Sequence, residues 1–389
     1  MSKERLLIRP RWSLVALSIV LFFAGAAHAS ELLIGTNLGS SERLTIAQQN
    51  SLLIDMKMAG VKLIRANIGE DEKGLEFART AHELGIQIDW IVEFGGYLRG
   101  APTRPYQPEK FPEMWEGHPL SYVDLEQFRD YFSWMLARLE ASGIKLAAFE
   151  LGNEINWAAY NAEFPLPGPG VQFGLDDLYH DPEAKQIAVG YLRYLKLLKI
   201  LKEVRDHSRL NRNTPILTAG LADFAQPDGP LGRPEDVVSV NATLDFMRAH
   251  GLDTLVDAYA IHVYPSQDKP GDPSAAAARA ERLAKYALAE CRPPNSPEGK
   301  PCWITEWGFA FPDTRCPAND TSHVVLVREM LSEFRKYADA GRLNGVIYYT
   351  WNTDPWVDTD PYAKKVDPFA TFRCGALLES GRLAIIPPR

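Results

Sequence analysis

Two short segments, far apart in the chain, each put a glutamate at the end of an apolar run: Phe149-Glu150-Leu151-Gly152-Asn153-Glu154 and Cys302-Trp303-Ile304-Thr305-Glu306-Trp307-Gly308. Two carboxylates on separate strand ends can divide acid–base work. One protonates a leaving oxygen while the other attacks or stabilises the carbon it leaves, a division that cleavage of a glycosidic bond requires. A lone strand-end glutamate is weak support, since many cap the next helix. Two of them, each in an apolar run, make Glu154 and Glu306 the candidate catalytic pair.

Other polar residues sit where they can serve such a pair. Arg65 follows Val-Lys-Leu-Ile directly, and an adjacent guanidinium favours the ionised form of a carboxylate. His262 and Tyr264 are two residues apart at the end of another apolar run, so in a strand they project to one side. The chain has no HxH or HExxH ligand set, and its cysteines show no zinc spacing, so no metal and no cofactor are expected.

The elements that must position these residues alternate. Candidate strands are Leu32–Gly35, Lys62–Ala66, Gln87–Val92, Leu146–Leu151, Ile216–Ala219, Ala258–His262, Cys302–Thr305 and Val346–Thr350. They are short continuous apolar runs, which implies burial on both faces, as in parallel sheets. Between them Phe128, Tyr131, Phe132, Met135 and Leu139 fall at helical spacing, as do Ile187, Tyr191, Tyr194, Leu195, Leu198 and Leu201. Ala275–Ala289 and Val324–Ala340 are further helical segments. Eight strands with helices between them indicate an α/β fold, a (β/α)8 TIM barrel, with an open doubly wound sheet as the alternative. No glycine-rich phosphate loop follows the first strand, which argues against a nucleotide-binding version.

Helix-to-strand links are short, whereas strand-to-helix links are long: Phe94–Ser121, Ile155–Asp181, Leu221–Val240 and Asn352–Cys374. Long loops on the C-terminal face of a barrel build its binding site. These carry Tyr97, Tyr106, Phe111, Trp115, Trp157, Tyr160, Trp351 and Trp356, whose rings can stack on sugar C–H faces or pin the loops to the rim.

The N-terminus is distinct. Lys3, Arg5, Arg9 and Arg11 precede the apolar run Ser13–Ala27 and the small-residue ending Ala27-His28-Ala29. This reads as a secretory signal over residues 1–29, with an uncleaved anchor as the alternative. The remainder, 30–389, contains no linker or repeat and reads as one domain. Cleavage lowers the net charge from −8 to −11. An acidic surface disfavours nucleic acid and anionic membranes as partners. A secreted or periplasmic location permits disulfides among Cys291, Cys302, Cys316 and Cys374, and the favoured pairing is Cys291–Cys302 with Cys316–Cys374. A monomer is the default.

The motifs together resemble the retaining glycoside hydrolases of clan A, the (β/α)8 enzymes that include families 5 and 39. Leu151-Gly152-Asn153-Glu154 matches the Asn-Glu pair that ends strand four, and Ile304-Thr305-Glu306-Trp307-Gly308 matches the end of strand seven. The resemblance implies that Glu154 is the acid/base and Glu306 the nucleophile. It further implies that Arg65 and Tyr264 steady Glu306, that His262 lies near the sugar or the acid/base, and that Asn153 bonds the sugar 2-hydroxyl. Trp351 would be a platform beneath the sugar, and Trp157 a further substrate contact. Several family-5 members carry a histidine after strand three. Here Trp90-Ile91-Val92-Glu93 offers Glu93 instead, as a sugar contact or as a third carboxylate tuning the pair. The expected substrate is a polysaccharide or oligosaccharide cleaved by double displacement. Alternatives are a non-catalytic carbohydrate-binding barrel, a transglycosylase using the same glutamates, and an unrelated barrel lyase or isomerase. The last would want a phosphate site, which acidic Asp354, Asp358 and Asp360 disfavour.

Overall fold

The apolar runs become eight parallel strands. They are β1 (Leu33–Asn37), β2 (Leu63–Asn67), β3 (Gln87–Val92), β4 (Ala148–Leu151), β5 in two pieces (Ile216–Leu217 and Leu221–Ala222), β6 (Tyr259–Val263), β7 (Cys302–Trp307) and β8 (Leu343–Tyr348). The computed structural model describes residues 32–39, 41–107, 109–111, 114–164, 170–223, 236–311, 318–351 and 367–386. The leader over 1–29, Cys316, Trp356, Asp354, Asp358 and Asp360 lie outside the described residues.

Each strand pairs in parallel with its sequence neighbours, and β1 also pairs with β8. The ring closes at β5. Its first piece pairs with β4, its second with β6, and a bridge from Leu217 to Ala258 joins the two sides. This is a (β/α)8 barrel. The helices around it are α1 (Ile46–Ala59), α2 (Glu72–Glu83), α3 (Leu125–Ala141), α4 (Leu175–His180), α5 (Pro182–Asp206), α6 (Val240–Ala249), α7 (Pro273–Arg282), α8 (Thr321–Asp339) and α9 (Glu379–Ile385). Side chains that accept from the first free N–H groups start many of them: Thr45 for α1, Asp71 for α2, Asp124 for α3, Asp181 for α5, Ser239 for α6 and Asp272 for α7. No helix among the described residues is long and apolar enough to cross a membrane.

Two apolar regions form. The large one lies between the strands and the helices. The small one fills the barrel itself, with Leu63, Ala148, Leu217, Ala258, Ala260, Trp303 and Ile347. Trp303 needs space on its neighbour, and a Cβ on Gly345 would lie 2.6 Å from the indole. Because strand side chains alternate, Arg65, Glu150 and His262, two residues beyond Leu63, Ala148 and Ala260, also point inward and form a polar layer above this plug.

Three expectations change. The loop expected from Leu221 begins with the upper piece of β5. The loop expected over Ile155–Asp181 holds α4 and a two-residue strand, Gln172–Phe173, which pairs with Val237–Val238. The helix expected over Ala275–Ala289 ends at Arg282 and continues as a π-turn over Leu283–Ala287. The Cys291–Cys302 disulfide is present, and Cys374 is also disulfide-bonded.

Candidate active site

Arg65 is the centre of the polar layer and is fully enclosed. Its Nε and Nη2 donate to the two oxygens of Glu150 at 3.0 and 2.6 Å. Nη1 donates to Glu306 Oε1 at 2.7 Å, and Nη2 also donates to Asn153 Oδ1 at 2.8 Å. Burial works against the guanidinium charge, but Glu150 and Glu306 outweigh it and hold Arg65 protonated.

Both oxygens of Glu306 are tied. Asn37 Nδ2 donates to Oε1 at 3.3 Å, and the Tyr264 hydroxyl donates to Oε2 at 2.5 Å. Burial raises the Glu306 carboxyl above its ordinary range, while Arg65 and the Tyr264 bond act against that rise. Burial, then the charge of Glu306, pushes the Tyr264 phenol well up, so it stays a donor.

Glu154 follows a sharp strand-end turn. Gly152 has φ 79° and Glu154 itself has φ 44°, a left-handed conformation that a side-chain-bearing residue adopts at a cost of about 1 kcal/mol or more. The turn is held by Glu154 N–H donating to the Gly220 carbonyl at 2.8 Å. One carboxylate oxygen, Oε1, lies 2.7 Å from His262 Nδ1. Burial, then Arg65, keeps the His262 ring well below its ordinary pKa and therefore neutral. Its Nε2 has no hydrogen-bond partner and faces Gly220, where a Cβ would lie 1.9 Å away.

His262 Nδ1 is also 3.5 Å from Glu306 Oε2. One atom each from Glu154, His262 and Glu306 fall within 4.8 Å of one another. Such a set has the donors to hold a single divalent cation. It also brings an oxygen of Glu154 within 4.8 Å of an oxygen of Glu306 across the mouth of the barrel.

Sequence reasoning missed four participants. Asn37 of β1 bonds Glu306, and the backbone of Gly220 serves both Glu154 and Glu150, its N–H lying 3.0 Å from Glu150 Oε1. Glu150 takes the two-pronged bond from Arg65. Asp89 of β3 is buried beside it, and burial, then the charge of Glu150, raises its carboxyl well above the ordinary range. The available signal was positional: Arg65 and Asp89 are register partners on adjacent strands, and Asp89 and Glu150 are acidic residues inside apolar runs.

Of the other expected residues, Asn153 and Tyr264 join the site through Arg65 and Glu306. Trp157 is buried, its N–H bonds the Glu154 carbonyl at 3.0 Å, and its ring is 5.7 Å from that of Tyr160. Trp351 is buried with one face stacked on Phe372, centroids 5.1 Å apart. Glu93 does not meet the pair. It accepts from Asn67 Nδ2 at 3.0 Å, and burial, then Glu42 and Glu70, raises its pKa. The third carboxylate that reaches the pair through Arg65 is Glu150.

No protein-family model and no curated protein matches the chain. Solved structures do. Xylanase B from Clostridium stercorarium F9 aligns with TM-score 0.51 and 12% identity, over 92% of this chain and 97% of that one. The endo-1,4-beta-mannanase from Rhizomucor miehei aligns with TM-score 0.50 and 13% identity, over 91% and 93%. At this identity the likeness establishes the shared fold. Beta-glucuronidase 2 of Bacteroides uniformis aligns with TM-score 0.47 and 14% identity, and the chain spans 33% of its length.

Proposed function

We propose that this chain is a retaining glycoside hydrolase of clan A acting on a polysaccharide or oligosaccharide. The observation that carries the reading is the Glu154–His262–Glu306 cluster, with Glu306 bound on both oxygens and Glu154 held opposite it by the neutral ring. Its likeness in fold to a named xylanase and a named mannanase supports the reading.

Glu306 attacks the anomeric carbon as a carboxylate. As that bond forms, the bond from the carbon to the leaving oxygen breaks, and Glu154 gives that oxygen its proton. A glycosyl ester on Glu306 results. Water then attacks the same carbon, Glu154 takes its proton, and Glu306 leaves as a carboxylate, so configuration is retained. Arg65, Asn37 and Tyr264 orient Glu306 for attack and stabilise it as it departs. Asn153, whose carbonyl is taken by Arg65, keeps its amide N–H groups to donate to the sugar 2-hydroxyl. The steps use side chains alone, and EDTA is expected to leave the rate unchanged. The Cys291–Cys302 disulfide supports action outside the cytoplasm.

The test is a hydrolysis screen on a panel of polysaccharides with wild type, Glu154→Gln and Glu306→Gln, each checked for folding. Wild type is expected to release oligosaccharides from one polymer class. Glu154→Gln should lose about 10²–10⁴-fold, and Glu306→Gln should lose turnover altogether. Glycan binding by wild type without cleavage, undiminished in both variants, would instead make this a binding barrel.

A further inference from the structure

A cavity of about 410 Å³ lies on the helix side of β6, between the β6–α7 loop and α7. Val263 is part of its wall and belongs to the apolar layer between strands and helices. Its neighbours His262 and Tyr264 project to the other side, toward the catalytic pair. Pro265, Ala275, Ala278 and Leu283 complete the apolar lining. The two alanines stand three apart on α7 and so share a face, and their methyl groups leave the space open. Leu283 begins the π-turn that follows the helix. The volume falls in the range of small-molecule sites, about 300–1,000 Å³.

The polar part of this lining is cationic, in a chain of net charge −8. Lys269, Arg279 and Arg282 face one carboxylate, Asp268. The carboxylates that pair with the two arginines are not in the lining: Arg279 Nη2 donates to Glu329, and Arg282 Nη1 donates to Asp223 at 3.0 Å. Asp268 is engaged by its own loop. It accepts from the Ser266 hydroxyl at 2.9 Å, and its backbone carbonyl accepts from Arg279 Nη1 at 2.9 Å. Lys269 has no ion-pair partner among the described residues. Arg279 is only 4% exposed, yet its Nε has no hydrogen-bond partner. A guanidinium N–H can only donate, and leaving one buried and unpaired is costly, so this atom calls for an acceptor.

We infer that this cavity binds a small anion with an apolar body, an aromatic or short-chain carboxylate. The body packs on Val263, Pro265, Ala278 and Leu283, and the carboxylate accepts from Arg279 Nε and pairs with Lys269. A neutral hydroxyl could satisfy the Arg279 N–H but would leave the Lys269 charge unanswered. The wall includes the residues on both sides of Tyr264, whose hydroxyl holds Glu306 at 2.5 Å, so an occupant braces the segment that carries Tyr264. Binding here does not depend on the proposed hydrolase chemistry.

The test titrates benzoate into the protein with its alanine methyl groups labelled for NMR. Saturable shifts are expected at Ala275 and Ala278. Benzamide, nearly the same shape but uncharged, should bind at least about tenfold more weakly, because hydrogen bonds to a charged group are the stronger ones. Lys269→Glu should weaken benzoate by about tenfold, since it replaces an attraction with a repulsion. Ala278→Trp, at an exposed position of α7, should fill the space and abolish the saturable shift at Ala275. Equal affinity for benzamide would overturn the anionic ligand. Shifts confined to other alanines, no saturable shift at all, or benzoate binding that survives Ala278→Trp would overturn the site. None of these readouts uses glycan cleavage, so failure of the hydrolysis screen would leave the site standing.

Discussion

In the proposed mechanism, Tyr264 helps to set the pH at which Glu306 can attack. Burial raises the carboxyl, and the Tyr264 and Arg65 bonds pull it back toward ionisation. Attack needs the carboxylate, so the acid limb of kcat/KM falls above the ordinary value of 4.5. Tyr264→Phe removes one favouring bond and should move that limb to higher pH by about one to two units, the worth of a hydrogen bond to a charged group. A pH–rate profile of both proteins checks this, and an unmoved limb would mean the bond does not matter to ionisation. Asp89 gives a stability counterpart. Folded, it keeps a proton that the unfolded chain releases near 3.8. The native state therefore binds more protons, and its contribution is fully present below that value and falls as pH rises towards the raised folded pKa, at about 1.4 kcal/mol per unit. Asp89→Asn is neutral throughout. Its urea midpoint should gain on wild type as pH increases, and a constant gap from acid to neutral pH would show that Asp89 is ionised in the fold.

At the scale of elements, β5 is where the sequence was least informative. The other strands were legible because burial on both faces leaves continuous apolar runs, and Gln87–Val92 was read to the residue. The expected strand Ile216–Ala219 instead stops at Leu217 and resumes at Leu221. The interruption comes from partners distant in sequence. Ala219 N–H donates to the Tyr194 hydroxyl at 2.7 Å, Gly220 N–H donates to Glu150, and Thr218 Oγ1 accepts from Ala260 N–H at 2.8 Å. No local pattern encodes such bonds. The same distance in sequence hid Asn37 and Glu150, whereas Glu154 and Glu306 were legible because their flanking residues formed motifs. Gly220→Ala tests the break. The added Cβ would collide with the His262 ring, which Glu154 and burial hold in place. The expected cost is about 1–3 kcal/mol of overpacking, with a loss of turnover larger than thermal destabilisation explains. Wild-type melting and turnover together would refute the close approach.

At the scale of the molecule, the site draws on opposite sides of a closed ring, so its geometry is set by the closure. Asn37 stands on β1, Arg65 on β2, Asp89 on β3, Glu150 on β4, His262 on β6 and Glu306 on β7. The Cys291–Cys302 disulfide begins β7 at the end opposite Glu306 and closes a span of 11 residues. In the chain-entropy account a loop of that size is worth about 2.8 kcal/mol at room temperature. The strand has a second hold, since β7 pairs along its length with β6 and β8, with Trp303 opposite both Ala260 and Gly345. These two supports predict different things. If pairing alone fixes Glu306, a Cys291→Ser, Cys302→Ser protein loses roughly that stability in urea melts yet keeps kcat/KM well below its melting temperature. If the disulfide sets the strand's register, turnover falls while the protein is still folded. The parallel pairing on both edges favours the first outcome, which makes the disulfide a brace for the barrel's lower end and leaves the position of Glu306 to the sheet.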